Sequence, residues 1–291
     1  MANKTGTRNK GDRYGAEANT MTYRLFEGKD HASAYQKYRF TPPDELKNII
    51  IQYLDKKKGQ PHVLAVDLGC GTGQNSRLMA PHFQEVLGID ISESQLEEAR
   101  AVPGYPNITY RKGTAEELPF PDGSVDLLTA ASAAHWFDQS RFLAEATRVL
   151  KPRGCVALLG FSDTNTKLHY KDCGERLNHI YEEVRQVLSP YTNNQVAVAE
   201  GKLQELYSAI PFPDKERIEH IRVSSISVSS LVGFIESWSM FQGYKKKDPQ
   251  TAEELLLNTQ KRFLEEMGVV SPDAEIEQQL EYFCVLASKP Q

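Results

Sequence analysis

A run of glycines carries the strongest chemical signal in this sequence. The segment reads Val66-Asp67-Leu68-Gly69-Cys70-Gly71-Thr72-Gly73-Gln74 and ends a short apolar stretch. Small residues let the backbone turn sharply and approach a ligand closely, and the first turn of a following helix offers free N–H donors. The carboxylate of Asp67 suits a cationic group such as an ammonium. We therefore expect a nucleotide-type site that includes Asp67, Gly69, Cys70 and Gly71.

Three further polar segments each follow an apolar stretch. Asp90 lies at the end of residues 85–91, where a carboxylate can accept hydrogen bonds from both hydroxyls of a ribose. Residues 113–120 and 132–137 come after the next two apolar stretches. In an open α/β sheet, ligands bind at the carboxyl ends of the strands, so these segments are expected to meet there. Further candidate binding residues are Ile91, Ala115, Glu116 and Ser132.

The elements that position these residues alternate between two patterns. Short apolar runs typical of buried strands occupy residues 63–68, 85–91, 108–112, 125–131 and 155–161. Helical patterns lie between them at 75–83, 93–101 and 140–150, and Ser92 is well placed to cap the second helix. This alternation predicts a doubly wound α/β fold, in which a mostly parallel sheet is covered by helices on both faces.

The pattern changes after residue 161. Residues 173–188, 231–240 and 251–267 look like helices, residues 218–228 alternate like a strand, and residues 281–287 form a last apolar strand. We interpret residues 162–280 as a helical cap inserted over the substrate, and residues 21–161 with 281–291 as the binding core. Residues 1–20 are polar and are expected to be a disordered lead.

The length, composition and net charge of the chain limit which kinds of protein it could be. The 291 residues are 40% hydrophobic, enough for a core that needs no disulfide or structural metal. The net charge of -5 argues against a nucleic-acid partner. The four cysteines lack metal-ligand spacing, and no apolar segment is typical of a signal peptide or membrane span. We expect a cytoplasmic protein without a metal or a membrane partner, and the composition leaves the oligomeric state open.

Taken in order, these segments resemble the class I S-adenosylmethionine-dependent methyltransferase family, in particular small-molecule enzymes similar to the trans-aconitate methyltransferases. The matching stretches are VDLGCGTGQN, GIDIS, GTAEELPFPDGSVDLL, AAHWFD and RVLKPRG. The resemblance covers roughly residues 30–161 and the final strand. It implies a Rossmann-like seven-stranded sheet whose last strand is antiparallel. It also implies S-adenosylmethionine as cofactor, with Asp67 at the methionine ammonium and Asp90 at the ribose.

The resemblance extends to the segment YQKYRFTPP at residues 35–43. It implies that Arg39 binds the methionine carboxylate and that Tyr38 covers the cofactor, although Arg39 could also be an exposed residue on a loop. Thr114 stands where the family often has an acid at the adenine position. The backbone of Ala115 and the side chain of Glu116 therefore become the expected adenine partners.

Transfer of a methyl group from a sulfonium requires alignment and exclusion of water more than strong acid–base catalysis. A carboxylate acceptor would need no base, whereas an amine, hydroxyl or thiol could use His135 as a general base. We expect His135 and Trp136 beside the methyl group, and Trp238 and Tyr244 over the substrate. Each of these side chains could instead be an ordinary packing residue.

Three other functions stay open at this point. A nicotinamide-dependent oxidoreductase would share Asp90, although its usual fingerprint is G-x-G-x-x-G rather than the G-x-G-x-G found here. A binding protein without catalytic activity is a second alternative. A methyltransferase of protein or nucleic acid is the third. An enclosing cap favours a small-molecule acceptor, because a macromolecule needs an open face.

Overall fold

The computed structural model describes residues 41–192, 201 and 203–291. The expectations for residues 1–20, Tyr38 and Arg39 lie outside this part of the chain. Seven strands are present: β1 (Leu64–Leu68), β2 (Glu85–Asp90), β3 (Ile108–Lys112), β4 (Val125–Ala131), β5 (Leu150–His169), β6 (Asp214–Ser227) and β7 (Glu275–Ser288).

The strands form one sheet in the order β3-β2-β1-β4-β5-β7-β6. The first five in this order are parallel to one another, and β7 is antiparallel to both β5 and β6. Strand order reverses between β1 and β4, which is the switch point where doubly wound folds bind ligands. This topology confirms the predicted seven-stranded, mostly parallel Rossmann-like sheet.

Helices cover the sheet and extend beyond one end of it. They are α1 (Asp44–Lys57), α2 (Gln74–Met79), α3 (Glu93–Ala101), α4 (Gln139–Val149), α5 (Gly174–Leu188), α6 (Gln204–Ala209), α7 (Val228–Glu236), α8 (Ser239–Lys247) and α9 (Pro249–Met267). Ser92 caps α3 as expected, because its hydroxyl accepts the N–H of Gln95. The described helices include none that is long and apolar enough to cross a lipid bilayer.

Alternating side chains on the central strands bury both faces of the sheet. Leu128 and Val66 belong to the hydrophobic cluster on one face, whereas Leu127 and Ala65 belong to the cluster on the other face. Successive side chains of a strand point to opposite faces, so a strand that is apolar throughout must be covered on both. A third group, here called the helical cluster, packs α5, α7, α8 and α9 against Leu168 and Ile276.

The strands β5 and β7 are longer than the sequence patterns predict. The apolar runs cover only residues 155–161 and 281–287, but the two strands pair as far as His169 and Glu277, with an irregularity between Ser162 and Lys167. In the parts of β5 and β7 outside the apolar runs, only one face of the strand is buried. Polar residues on the other face interrupt the apolar pattern, so the sequence does not predict a strand there. The sheet also includes β6 at its edge, so residues 214–227 of the segment interpreted as a cap belong to the main sheet.

The helix expected at residues 231–240 is two helices. α7 ends at Glu236, and the hydroxyl of the next residue, Ser237, donates to the backbone oxygen of Phe234 at 2.6 Å. Trp238 then adopts extended backbone angles and precedes α8. The apolar pattern continues through this break because Trp238 is buried in the helical cluster. Whether the helices after residue 173 cover a substrate stays a prediction.

Candidate functional site

The glycine loop between β1 and α2 has a backbone that only glycine adopts readily. Gly69, Gly71 and Gly73 have φ angles of 61°, 54° and 87°, in the left-handed region that other residues rarely occupy. A Cβ on Gly69 would lie 2.5 Å from the Cβ of Ala133. The N–H of Cys70 donates to the backbone oxygen of Ile89 at 3.0 Å, which attaches the loop to the end of β2.

Asp90 fixes the same loop from the end of β2. Its carboxylate accepts the N–H of Gly71 at 2.8 Å and the N–H of Ser92 at 2.9 Å, one on each oxygen. Burial raises the pKa of Asp90 despite these hydrogen bonds. A carboxylate oxygen can accept more than one hydrogen bond, so both oxygens retain capacity for a ligand hydroxyl.

Asp67 is fully buried at the carboxyl end of β1. Its two oxygens accept hydrogen bonds from Asn75 Nδ2 at 2.8 Å and from Ser76 Oγ at 2.6 Å. Burial raises the pKa of Asp67 to about 6, against the effect of these hydrogen bonds. Asn75 Oδ1 is also buried and has no partner among the described residues. The carboxylate of Asp67 and the amide oxygen of Asn75 therefore lie together at the end of β1, and this pair of acceptors suits a cationic group.

A cavity lies at the switch point, between the loops that follow β1 and β4. Its lining residues come from five parts of the chain: Pro42, Asp67, Gly69, Cys70, Gly71, Gln74, Asn75, Ala131, Ser132, Leu159, Gly160, Phe161 and Tyr282. Ser132 has a φ of 54°, uncommon for a residue with a side chain, and its N–H donates to Leu159 O at 2.8 Å. Strained backbone of this kind often occurs at ligand sites.

The candidate adenine and methyl residues lie after β2, β3 and β4 but outside the lining of this cavity. Ala115 is buried, and Glu116 accepts the backbone N–H of Asp138 at 2.8 Å. This bond attaches the segment after β3 to the start of α4. His135 and Trp136 are half-buried in a short 3-10 turn, with ring centroids 5.0 Å apart. Ile91 directly follows β2.

The two aromatic residues expected over the substrate lie in the helical cluster. Trp238 is only 3% exposed, and its ring packs edge-on against the rings of Phe234 and Tyr181. Tyr244 packs against Tyr191 with ring centroids 5.1 Å apart. The structure therefore does not bring Trp238 or Tyr244 to the lining of the cavity.

Several lining residues were missed by the sequence reasoning. Asn75 had a usable signal, because the first turn of a helix that follows a glycine loop lies over the end of the preceding strand. Phe161 and Tyr282 had none, because they become neighbours through the antiparallel pairing of β5 with β7. The described residues include no group of three or more His, Cys, Asp and Glu side chains that could hold a metal ion.

Comparisons with known proteins are consistent with this geometry. A family model described as a methyltransferase domain matches residues 66–158. A candidate methyltransferase of Dictyostelium discoideum is 31% identical over 234 residues, which cover 77% of this chain and 83% of that protein. Trans-aconitate 2-methyltransferase of Deinococcus radiodurans is 33% identical over 132 residues, which cover 44% of this chain and 47% of that enzyme.

A solved structure from Anaeromyxobacter dehalogenans, described as a candidate type II methyltransferase, has the same fold. It superposes with a TM-score of 0.67 at 22% identity and covers 84% of this chain and 97% of that one. Because the superposition covers 84% of this chain, it includes part of the chain beyond residue 161, and that part belongs to the shared fold.

Proposed function

Because this chain belongs to the class I S-adenosylmethionine-dependent methyltransferase family, we propose that it transfers a methyl group to a small organic molecule. The chain is an enzyme, and its cofactor is S-adenosylmethionine. The alternative of a nicotinamide-dependent oxidoreductase is therefore set aside. The identity of the methyl acceptor and the roles of individual residues are part of the proposal.

The residues around the glycine loop fit the cofactor. When bound, S-adenosylmethionine supplies a methyl group on a positively charged sulfur. We assign its ammonium to Asp67 and to the unpaired Oδ1 of Asn75, and its ribose to Asp90. Gly69 and Gly71 leave room for close approach, since a Cβ on Gly69 would already collide with Ala133.

Partners for the rest of the cofactor are proposed from where the residues lie in the sequence relative to the strands. Ile91, Ala115 and Glu116 follow β2 and β3 and are proposed to surround the adenine. Cys70 and Ser132 line the cavity and contribute backbone and small side-chain contacts. Tyr38 and Arg39 are proposed to cover the methionine end and to bind its carboxylate, as the family resemblance implies.

One contact supports a small acceptor most directly. Phe161 lines the cavity, and its ring lies 5.8 Å from the ring of Phe234 on α7. The wall of the cavity is thus continuous with the helical cluster, which lies beyond the carboxyl ends of the parallel strands. Helices in this position restrict access to the transferred methyl group, and a protein or nucleic acid would need an open face there.

His135 is proposed as the general base only for an acceptor that must lose a proton. It follows β4 by a few residues and lies in the turn that begins after the lining residue Ser132. A carboxylate acceptor needs no such base, so His135 and Trp136 would then contact the acceptor through packing alone. The relative from Deinococcus radiodurans makes carboxylates one class to test.

The proposal is tested by supplying S-adenosylmethionine with a labelled methyl group to the purified protein. Small carboxylates, amines and phenols are compared with a protein mixture and with RNA as acceptors. We expect label in the low-molecular-weight fraction and its loss in the Asp90→Ala variant, which lacks the carboxylate that fixes Gly71. Label found only in protein or RNA would overturn the proposal.

A further inference from the structure

The two edge strands of the sheet differ in length and regularity. β3, at one edge, has five residues and ends in Arg111 and Lys112. β6, at the other edge, has 14 residues, contains no proline and pairs with β7 along its whole length without an irregularity. Within the described part of the chain, no strand pairs with the outer side of β6. The backbone groups on the outer side of an edge strand can bind another strand, and short, interrupted or charged edges limit such binding. The side chains of β6 therefore decide which strand it can accept.

β6 exposes apolar surface near its carboxyl end. Ile221 is 58% exposed and Val223 is 55% exposed. The two residues are two positions apart in a strand, so they lie on the same face. On β7 they lie opposite Glu281 and Gln279, so the neighbouring strand gives them little apolar cover. A further strand along the outer side of β6 would reduce this exposed area.

The charged residues of β6 make the strand complementary to itself. On the face that carries Ile218, the acids Asp214 and Glu216 come before that residue. The bases His220 and Arg222 come after it on the same face. An antiparallel pairing with a second copy of β6, centred on Ile218, reverses this order. Each acid then lies opposite a base of the second copy: Asp214 faces Arg222, and Glu216 faces His220.

The opposite face of β6 has the same property. Arg217 and Glu219 lie on either side of Ile218 and pair with each other within the chain at 2.8 Å. In the pairing centred on Ile218, Arg217 also lies opposite Glu219 of the second copy. The four charges around the axis therefore alternate in sign. Opposite charges directly across a strand pair are stabilising, whereas like charges there are destabilising.

Other registers of the same pairing lack this complementarity. A twofold axis perpendicular to the sheet keeps each face of the strand on the same side, so it must pass through one residue of β6. An axis at Arg217 or Glu219 would place two like charges directly opposite each other. An axis at His220 or Ile221 would place no acid opposite a base. The charge pattern therefore selects an axis at Ile218.

We propose that β6 pairs with β6 of a second copy of this chain, antiparallel and about a twofold axis at Ile218. The protein is then a symmetric homodimer in which two sheets join into one. The partner is a second copy because the charges of the strand complement those of the same strand reversed. This inference is independent of the proposed function, since it concerns only the outer edge of the sheet.

Sedimentation velocity of the full chain tests the dimer, which we expect for the wild-type protein with a dissociation constant in the micromolar range or tighter. The charge variants use Glu216 and His220, because Asp214 already pairs with Lys57 of its own chain. The basic variant combines Glu216→Lys with His220→Lys, and the acidic variant is His220→Glu. Within one chain the two positions are about 13 Å apart along the strand, so they affect each other little.

Each charge variant alone should sediment as a monomer, because like charges then face each other across the axis. An equimolar mixture of the two variants should form a dimer, because the lysines of one chain face the glutamates of the other. This recovery on mixing is specific to the register centred on Ile218. Thermal unfolding of each variant checks that the separate chains are folded.

Cysteine cross-linking provides a second test with a matched control. Ile218→Cys should form a disulfide-linked dimer on mild oxidation, because directly opposite residues have Cβ atoms about 4.5–5.5 Å apart. Ile221→Cys is on the same strand and more exposed, but it should not cross-link, since the two copies of this residue would be about 20 Å apart. The four native cysteines are buried, so the wild-type protein should not cross-link either.

Three outcomes would overturn the proposal. The first is a wild-type protein that is monomeric at micromolar concentration, which would leave the edge of β6 to another segment or partner. The second is a dimer that persists in both charge variants, which would place the interface elsewhere. The third is equal cross-linking of Ile218→Cys and Ile221→Cys, which would exclude the proposed register.

Discussion

The carboxyl group of Asp67 makes the stability of the protein and its affinity for the cofactor depend on pH. Burial raises its pKa from an ordinary value of 3.8 to about 6, with the opposing hydrogen bonds of Ser76 and Asn75 too weak to offset burial. Between these two values the folded protein holds a proton that the unfolded chain has lost. Stability from this group is therefore fully present below the unfolded pKa and is lost as the pH rises through about 6.

We predict that the cofactor binds more tightly as the pH rises from about 5 to about 7, because its cationic ammonium favours the ionised form of Asp67. A single titrating group can change the affinity by at most tenfold per pH unit. Calorimetric titration with S-adenosylmethionine across this range measures the effect. The Asp67→Asn variant, which cannot ionise, should bind more weakly and show a flat profile. A flat wild-type profile would contradict the assignment of the ammonium to Asp67.

Gly69 and Gly123 offer a matched comparison, because both have a φ of +61°. A Cβ on Gly69 would lie 2.5 Å from Ala133 Cβ, whereas a Cβ on Gly123 would meet no atom within 4 Å. We predict that Gly123→Ala lowers the free energy of unfolding by about 1 kcal/mol, through left-handed strain alone. Gly69→Ala should lower it by about 2 kcal/mol more, because Ala133 must also move.

Urea unfolding of both glycine variants measures these losses, and calorimetry measures the cofactor affinity. Only Gly69→Ala should weaken binding, since Gly123 lies in a turn away from the cavity. Equal losses of stability in the two variants would show that the close approach of Gly69 to Ala133 is unimportant.

At the scale of elements, Asp126 joins the end of one helix to the starts of two strands. This fully buried side chain accepts the N–H of Leu64 at 2.8 Å and pairs with Lys58 and Lys151 at 2.8 and 2.9 Å. It thereby connects the end of α1, the start of β1 and the start of β5. Burial alone would raise the pKa of Asp126, but Lys58, Leu64 and Lys151 together lower it. Its stabilising effect is therefore present at neutral pH and is lost in acid.

We predict that Asp126→Ala lowers the free energy of unfolding by about 3–5 kcal/mol at neutral pH, because two partly buried lysines lose their partner. The difference from the wild-type protein should shrink as the pH falls below the ordinary carboxyl range. Asp122→Ala is the control: Asp122 is 82% exposed and pairs with Arg148 at 3.0 Å, so its loss should change stability by at most about 1 kcal/mol. Thermal unfolding at several pH values distinguishes the two.

At the scale of the whole molecule, β5 and β7 connect the cofactor region to the helical cluster. Their apolar halves lie within the sheet core, and their outer halves support α5 and α7–α9. Phe161 packs against both the sheet core and the helical cluster.

The sequence by itself determined the local features. The glycine loop, Asp67, Asp90 and the alternation of strands and helices are each contained in a short stretch of chain, and their patterns depend on backbone geometry and local burial. Parallel strands align their carboxyl ends, so the meeting of Asp67, Gly69 and Ser132 around one cavity could be expected. The family resemblance supplied the sheet of seven strands, which the structure confirms.

Only the tertiary structure decided which distant groups become partners. It pairs β6 with β7 and extends β5 along β7, which brings Phe161 to Tyr282 and Leu168 to Gln278 across more than 100 residues of sequence. It also buries Trp238 in the helical cluster rather than at the cavity. A local pattern shows that a side chain will be buried but not what it will contact, because the contact depends on the packing of elements from elsewhere in the chain.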